Sequence, residues 1–235
     1  MKKIQLKQVL RNKRFVLFTI ILPIGWYIFF DQLQKGVSPS ILLGIAVFIG
    51  VIGNSLATFS KRIASDIGFY SFESHFTSYS VKHYLWDQSI VQLILNSLIF
   101  LAVLVVAVLG FHFPVTTSLL VQFFLLSLMG IYFSVIGFVL GVRVDAKTID
   151  TIGFPVIILA AMTIIPFDTL GASGGFMDLV GKLQRAFPGY YYTKVIQDLT
   201  EKQTIDPTQL ALFVAVFGLN LLFFYLLVPK GKMGN

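Results

Sequence analysis

Apolar residues fill six long stretches of the chain, and most charged residues lie between them. The stretches are Phe15 to Phe30, Ile41 to Phe59, Ile90 to Gly110, Leu119 to Val142, Ile152 to Phe167 and Gln209 to Val228. A helix needs about 20 mostly apolar residues to cross the ~30 Å hydrocarbon core of a bilayer. The pattern therefore predicts an all-α polytopic membrane protein, with six transmembrane helices in one domain covering residues 1–235.

The first and fifth stretches are short, and each contains a proline, Pro23 and Pro155. Proline removes a backbone donor, so it kinks or breaks a helix unless neighbouring groups compensate. We expect these two helices to be bent or to face a pore. A basic segment before an apolar run also suits a cleaved signal peptide, but no small-residue cleavage site follows Phe30. A retained signal anchor is the expectation.

Composition indicates that the predicted helices lie in a lipid bilayer, and the distribution of charge indicates how they are oriented across it. Hydrophobic residues make up 56% of the 235 and charged residues 12%, which is too little polar surface for a soluble domain of this size. The basic residues flank apolar runs, so a nucleic-acid partner is not expected. With a cytoplasmic N-terminus, thirteen of the 18 Lys and Arg residues lie inside, and the net charge is +8 inside against −1 outside. Both termini are predicted to be cytoplasmic.

Residues 2–14 carry basic residues at helical spacing. Lys3, Lys7, Arg11 and Arg14 fall on one side and apolar residues on another, which is typical of an amphipathic helix on an anionic membrane surface. Membrane orientation alone also explains these charges. The sequence leaves both explanations open.

The cytoplasmic region 60–89 carries an aromatic stripe at intervals of three and four residues. Its members are Phe69, Phe72, Phe76, Tyr79, His83 and Trp86. Such a stripe often lies on the membrane or against the protein's own core. Charged residues stand beside it: Lys61, Arg62, Asp66 and Glu73. This region is therefore the best candidate surface for a soluble partner.

The outer connection 168–208 alternates short semi-apolar pieces with glycines and prolines, and it includes the aromatic cluster Tyr190 to Tyr192. Loops of this length without regular structure are uncommon. We expect short half-inserted helices here, between the fifth and sixth spans.

Small residues recur on one side of the second and fourth spans. They are Ala46, Gly50, Gly53 and Ala57 in the second span, and Gly130, Ser134, Gly137 and Gly141 in the fourth. Small residues at this spacing let helix backbones approach closely. Glycine is also common in membrane helices, but four positions in register in two spans favour two close helix contacts.

Residues for catalysis, nucleotide binding and metal binding do not form a recognisable pattern. Lys182 follows Gly181, but Phe176 and Leu183 stand where a phosphate loop needs Gly and Ser or Thr. The three histidines form no metal motif, and the chain has no cysteine. We therefore predict no catalytic residue, no metal and no bound cofactor, so the chain is not expected to be an enzyme by itself.

Polar residues inside the spans are neutral, since none of the six interiors contains Asp or Glu. They are Asn54, Gln92, Asn96, Gln122 and Asn220. Carriers driven by ion gradients usually hold an ionisable group in the membrane. The amides are better explained as hydrogen bonds between helices than as substrate ligands.

The order of these features resembles the permease subunits of ABC-2 type exporters. Arg11 to Phe15 running into Leu22-Pro23 is similar to that family's entry into its first helix, and Phe187 to Tyr191 is similar to its proline-aromatic element before the last helix. The similarity covers essentially the whole chain, although the glutamate-arginine pair common in the family's second loop is not evident.

The resemblance implies a role for several positions. Lys61 to Glu73, including Lys61, Arg62, Asp66, Phe69, Phe72 and Glu73, would form the coupling helix that docks on a separate ATPase. The first, second and fifth spans, with Pro23, Asn54 and Pro155, would line the translocation path between two permease subunits. Two ATPase subunits per complex would bind ATP and Mg. The other partners would be a second permease copy or a related permease, and the lipid bilayer. The resemblance also implies a bacterial cytoplasmic membrane as the location.

The function expected from these features is export of an amphipathic or hydrophobic substrate, such as a peptide, a lipid-like molecule or a drug. Alternatives are a non-transporting immunity or sensor subunit, because fold does not fix function, and a carrier driven by an ion gradient. A membrane enzyme would need paired acids or histidines at membrane depth, and the spans contain none.

Overall fold

The computed structural model describes residues 11, 16–33, 36–66, 68, 81–167, 174–201 and 204–228, and every regular element in these ranges is a helix. Most of the predicted interfacial helix 2–14 and residues 69–80 of the aromatic stripe lie outside the described residues. Arg11, which lies within them, is exposed.

The described residues form eight α-helices of ten or more residues. Their bounds are α1 Leu22–Leu33, α2 Pro39–Asp66, α3 Val81–Phe111, α4 Ser118–Arg143, α5 Ala146–Met162, α6 Gly175–Gln184, α7 Pro188–Glu201 and α8 Pro207–Leu226. Local sequence sets several of the starts. Pro39 and Pro207 stand at the first turn, where a missing backbone N–H costs nothing. The side chains of Asp145 and Asp206 cap α5 and α8 by accepting hydrogen bonds from backbone N–H groups.

Four of the described helices, α2, α3, α4 and α8, are long and apolar enough to cross a membrane. They correspond to the second, third, fourth and sixth predicted spans, and they indicate a membrane-embedded protein. The first predicted span is shorter, because a π-helical turn, Leu17–Ile21, precedes the 12 residues of α1. The fifth is α5, with 17 residues. Pro155 lies inside α5, and the helix continues past it.

Helix α2 is the centre of the bundle and α8 lies at its edge. Within their apolar windows, 78% of α2 is buried against 6% of α8. Helices α1, α3, α4, α5 and α7 all pack against α2. The largest hydrophobic cluster follows from this arrangement, since α2 contributes an almost continuous buried run from Ile41 to Phe48.

Side-chain contacts place the ends of the helices on two opposite faces. On one, the Lys61 face, Lys61 at the end of α2 pairs with Asp150 at the start of α5, and Arg143 at the end of α4 donates to the Leu227 carbonyl after α8. On the other, the Ser40 face, Gln122 near the start of α4 donates to the carbonyl of Ser40 near the start of α2.

Helices α6 and α7 form a hairpin. Its turn lies beside the second half of α8, far from the first residue of that helix. The Asn220 Nδ2 donates to the Ala186 carbonyl in this turn at 3.0 Å. At 1.5 Å per residue, Asn220 lies about 20 Å along α8 from Pro207. Helices α6 and α7 lie in the connection where short helices were expected between the fifth and sixth apolar stretches.

Candidate functional site

A seam of buried polar side chains runs between α2, α3 and α4. It consists of Asn54, Ser55, Gln88, Gln92, Asn96 and Ser134, each at most 5% exposed. The Asn54 Nδ2 donates to Asn96 Oδ1 at 3.2 Å, and the Gln92 Nε2 donates to Ser55 Oγ at 3.2 Å. Gln88, Gln92 and Asn96 recur every four residues, so one side of α3 supplies three amides to the seam.

The third helix of the seam joins through hydroxyl groups and close backbone contact. Ser134 Oγ donates to the Gly130 carbonyl at 2.6 Å and lies 3.5 Å from Ser55 Oγ. A Cβ at Gly130 would overlap the Asn96 amide, and one at Gly137 would overlap the Ser55 carbonyl oxygen. The distance between α2, α3 and α4 at this level therefore depends on glycines in α4.

Helix α2 changes its winding beside the seam. Gly53–Phe59 is π-helical, and this segment contains both Asn54 and Ser55. A π segment accommodates an extra residue in the turn and re-aims the side chains around it, and such segments are frequent at functional sites. Sequence reasoning did not find the π segment, because no residue type in Gly53–Phe59 requires it.

Several seam atoms have no hydrogen-bond partner among the described residues. They are Gln88 Nε2 and Oε1, Gln92 Oε1 and Asn96 Nδ2. Asn96 also lines a cavity of about 10 Å³ between α2, α3 and α4, together with Ser127. That volume is about the size of one water molecule. The seam can therefore donate and accept neutral hydrogen bonds, but it holds no group for acid–base chemistry.

The predicted neutral residues of the spans all bond to another element. Asn54, Gln92 and Asn96 lie in the seam. Gln122 donates to Tyr192 Oη on α7 at 3.3 Å, and Asn220 accepts from Tyr132 Oη on α4 at 3.4 Å. These bonds confirm the interpretation of the five amides as links between elements. Gln88 was not among the predicted residues, because it precedes the apolar stretch of α3.

The predicted coupling residues begin at the Lys61 face. Lys61 Nζ contacts both carboxylate oxygens of Asp150, at 2.5 and 2.7 Å. The Arg62 guanidinium lies 5.3 Å from the centroid of the Phe59 ring. Asp66 is the last residue of α2. Phe69, Phe72 and Glu73 lie outside the described residues, as do Lys3, Lys7 and Arg14 of the predicted interfacial helix.

Next to this pair, Asp145 begins α5 with a strongly hydrogen-bonded carboxylate. Its side chain accepts from the Thr148 hydroxyl at 2.6 Å and from the Lys147 and Thr148 backbone N–H groups at 3.0 Å. These bonds, with the Thr148 hydroxyl first, hold the pKa of Asp145 below its ordinary value. Asp145 therefore stays negatively charged at the start of α5, where the helix dipole favours an anion.

The candidate path residues occupy different surroundings. Pro23 is buried, and a Cβ at Gly50 would overlap its ring, so Gly50 allows α1 to approach α2. Asn54 is in the seam. Pro155 is on an exposed side of α5. The structure does not bring these three residues together on one surface of the single chain.

The remaining small residues of the two predicted faces lie as follows. Ala46 is fully buried in the core, and Ala57 lies beside Gly153 of α5. A Cβ at Gly141 would overlap Ser60 and Ile63 of α2. Gly53 differs from the others, because nothing lies within 4 Å of where its Cβ would be.

No protein-family model matches this chain, and neither a curated protein nor a solved structure matches it.

Proposed function

We propose that the chain is the permease subunit of an ATP-driven exporter of the ABC-2 type. In this proposal α1, α2, α3, α4, α5 and α8 cross the bilayer, and the Lys61 face lies in the cytoplasm with both termini. Most of the basic residues, thirteen of 18, are then cytoplasmic, in line with the positive-inside rule. A second permease, identical or related, would complete the translocation path.

The observation that carries the proposal is the link between Lys61 and Asp150. The region from Lys61 to Glu73 is where the resemblance expects the contact with an ATPase. Lys61 lies near the end of α2, the helix that contains the seam residues Asn54 and Ser55, and its ion pair joins this part of α2 to the start of α5. A displacement of this end would move α2 and α5 together, as a rigid-body mechanism requires.

The neutrality of the buried polar groups supports an energy source outside the membrane. Every buried polar side chain among the described residues is uncharged, whereas carriers coupled to protons or ions usually hold an ionisable group there. ATP and Mg would be bound by two partner ATPase subunits. An amphipathic or hydrophobic substrate suits the apolar helix surfaces.

The direct test is assembly with a candidate ABC ATPase subunit that is co-encoded with this chain. The two proteins are co-expressed, purified through a tag on the ATPase and assayed for ATP turnover in lipid nanodiscs. We expect a stable complex and a severalfold stimulation of turnover by the wild-type chain. An ATPase that neither retains the chain nor responds to it would refute the proposal.

The role of the ion pair is tested in the same complex. Lys61→Asp should leave the complex intact but reduce the stimulation, and the exchanged pair Lys61→Asp with Asp150→Lys should restore it. Lys147→Asp is the matched control, because Lys147 is an exposed lysine on the same face whose side chain is not in this pair. Equal loss in the Lys61 and Lys147 variants would show that only the charge of the surface matters.

A further inference from the structure

The hairpin of α6 and α7 lines an open polar cavity of about 360 Å³. Asp178, Lys182 and Arg185 line it from α6 and the turn that follows, and Tyr190 lines it from α7. Its volume is within the range of small-molecule sites. None of the seam residues reaches it, so it is a separate place in the molecule.

The charged groups of this cavity do not neutralise one another. Within the described residues, Asp178 and Lys182 take part in no ion pair. The Arg185 guanidinium lies 5.9 Å from the centroid of the Tyr190 ring, and Lys194 Nζ lies 5.8 Å from the same ring. Among the described residues, two cations and one acid line the cavity, so these residues together contribute one net positive charge.

Helix α6 is held in a fixed orientation, which keeps the two cations on the cavity side. Gln184 is 5% exposed, and its Nε2 donates to the carbonyls of Met162 at 2.6 Å and Ile165 at 2.8 Å. Val180, one turn earlier, is buried as well. These contacts fix α6 against the end of α5.

A third side of α6 is apolar and exposed. Phe176, Leu179 and Leu183 are 66%, 53% and 59% exposed, at the spacing of one helix face. The apolar face and the charged cavity lie on the same short helix. A ligand that touches both must have a polar head and an apolar tail.

The cavity also lies some way along α8 from the outer end of that helix. The proposed six-span arrangement places this position inside the bilayer. The turn that follows Arg185 bonds to Asn220, about 20 Å along α8 from Pro207. Uncompensated charges at membrane depth are costly and mark functional sites. An anion in the cavity would offset the excess positive charge.

We infer that this cavity binds the anionic head group of a single-chain amphiphile, with phosphate as the preferred group. A guanidinium and an ammonium on one side of the cavity suit phosphate oxygens, which they bind through charge-assisted hydrogen bonds. The tail lies along Phe176, Leu179 and Leu183. The inference rests on the proposed function, because it names the class of amphipathic substrate that the exporter takes.

The test measures binding of a fluorescent hexadecyl phosphate to the purified chain in a neutral maltoside detergent. The double variant Lys182→Gln with Arg185→Gln should bind at least about tenfold more weakly, since two charge-assisted hydrogen-bonding groups are lost. Asp178→Asn should bind about threefold more tightly, because it removes a like charge. Lys182→Arg with Arg185→Lys should retain binding.

Controls separate this site from general attraction and from misfolding. Lys147→Gln, on the Lys61 face, should bind as the wild type does, and every variant must keep the wild-type elution profile and melting temperature. The variant Lys182→Arg with Arg185→Lys keeps both positive charges, so it still tests the site if Lys182→Gln with Arg185→Gln does not fold.

Three outcomes would overturn the inference. In the first, hexadecyl maltoside, with the same tail on a neutral head, binds as tightly as hexadecyl phosphate. In the second, inorganic phosphate alone binds as tightly as hexadecyl phosphate. In the third, a folded Lys182→Gln, Arg185→Gln variant binds hexadecyl phosphate as the wild type does. Inorganic phosphate that binds as well would identify a free-anion site without a role for the tail. The assay contains no ATPase, so its failure is distinguishable from failure of the chain to assemble with one.

Discussion

The α2–α4 seam and the α6–α7 hairpin use polar residues in opposite ways. In the seam, buried amides and hydroxyls bond to one another across helices whose backbones are brought close by glycine. In the hairpin, charged groups line an open cavity and the helix on which they lie is short and partly exposed. The seam therefore holds three helices as one body, whereas the hairpin presents groups to something outside the chain.

Helix α7 of the hairpin packs against two of the helices that form the seam, α2 and α4, near the Ser40 face. Gln122 of α4 donates to Tyr192 of α7, and Tyr192 packs edge-on against Phe48 of α2 with ring centroids 4.6 Å apart. Gly44 leaves room for the Tyr192 hydroxyl, since a Cβ there would lie 2.7 Å from it. The hairpin is thus attached through α7, whose Tyr192, Val195 and Ile196 lie in the largest hydrophobic cluster together with residues of α2.

The largest effect on stability is expected from a substitution in the seam, at Gly137. Gly137→Ala places a methyl group on the Ser55 carbonyl and should lower the free energy of unfolding by about 2 to 3 kcal/mol. Gly53→Ala is the matched control, because its position is open and helical, and it should be neutral or raise stability by up to about 1 kcal/mol. Unfolding is followed in maltoside micelles by titration with sodium dodecyl sulfate. Equal stability of the two variants would contradict close packing at the seam.

The hydrogen bonds of the seam should contribute less than its packing. A double-mutant cycle with Asn54→Ala and Asn96→Ala should give a coupling free energy of about 1 kcal/mol, since hydrogen bonds between membrane helices average somewhat below this value. The same measurement with Asn54→Ala and Gln122→Ala, which do not contact each other, should be additive. A coupling free energy near zero for the first pair would mean that the amides do not hold the helices together.

The hydrogen bond between Gln122 and Tyr192 should contribute less free energy than the bond between Asn54 and Asn96. Tyr192→Phe removes a 3.3 Å hydrogen bond from Gln122, which keeps its bond to the Ser40 carbonyl, so the loss should be about 0.5 kcal/mol. Tyr191→Phe is the control and should change nothing measurable. Hydrogen exchange in α7 should rise in the Tyr192 variant, while exchange in α4 stays as it was. Faster exchange in both helices would mean that the hairpin and the seam form one unit.

The ion pair at the Lys61 face should add little to stability. Its partners are 43% and 58% exposed, and exposed pairs contribute between about 0.2 and 1 kcal/mol. Lys61→Ala should lower the free energy of unfolding by about 0.5 kcal/mol at low salt and by less at 1 M salt, where the pair is screened. A loss of several kcal/mol would show that the pair is part of the folded core, and not a link that serves coupling.

The smallest effect is expected at Asp145, and it depends on pH. The Thr148 hydroxyl lowers the pKa of Asp145 below its ordinary value of 3.8, so this bond stabilises the fold above about pH 4 and is lost as pH falls through the folded-state pKa. The melting temperature of Thr148→Ala should therefore lie below that of the wild type at pH 6, and the difference should shrink towards pH 3. A difference that is the same at both pH values would contradict this explanation.

Much of the helical framework could be predicted from the sequence, because apolar stretches of about 20 residues have few alternatives in a membrane. The described helices α2, α3, α4 and α8 follow these stretches. The helix ends were less predictable. Helix α2 continues beyond Phe59 to Asp66, and Ile63 in this extension is buried in a hydrophobic cluster with Phe59 and Phe138. Hydrophobic patterns carry no information about that extension.

The site was only partly predictable. The sequence identified Asn54, Gln92 and Asn96 as groups that need partners, but it could not say that Asn54 bonds to Asn96 while Gln92 bonds to Ser55, since that depends on how the helices rotate against one another. The pairing of Lys61 with Asp150 joins residues far apart in the chain. The cavity on α6 had a signal, since Asp178, Lys182 and Arg185 fall on one side of a short helix and Phe176, Leu179 and Leu183 on another.

The measurement that tests the account most directly is the ATP turnover of a co-encoded candidate ATPase subunit with and without this chain, in nanodiscs of the same lipid. We predict a stable complex in which the chain raises turnover severalfold, and in which Lys61→Asp weakens that effect and the exchange with Asp150→Lys restores it. Unchanged turnover, with no complex between the two proteins, would contradict the assignment of the chain as an exporter permease.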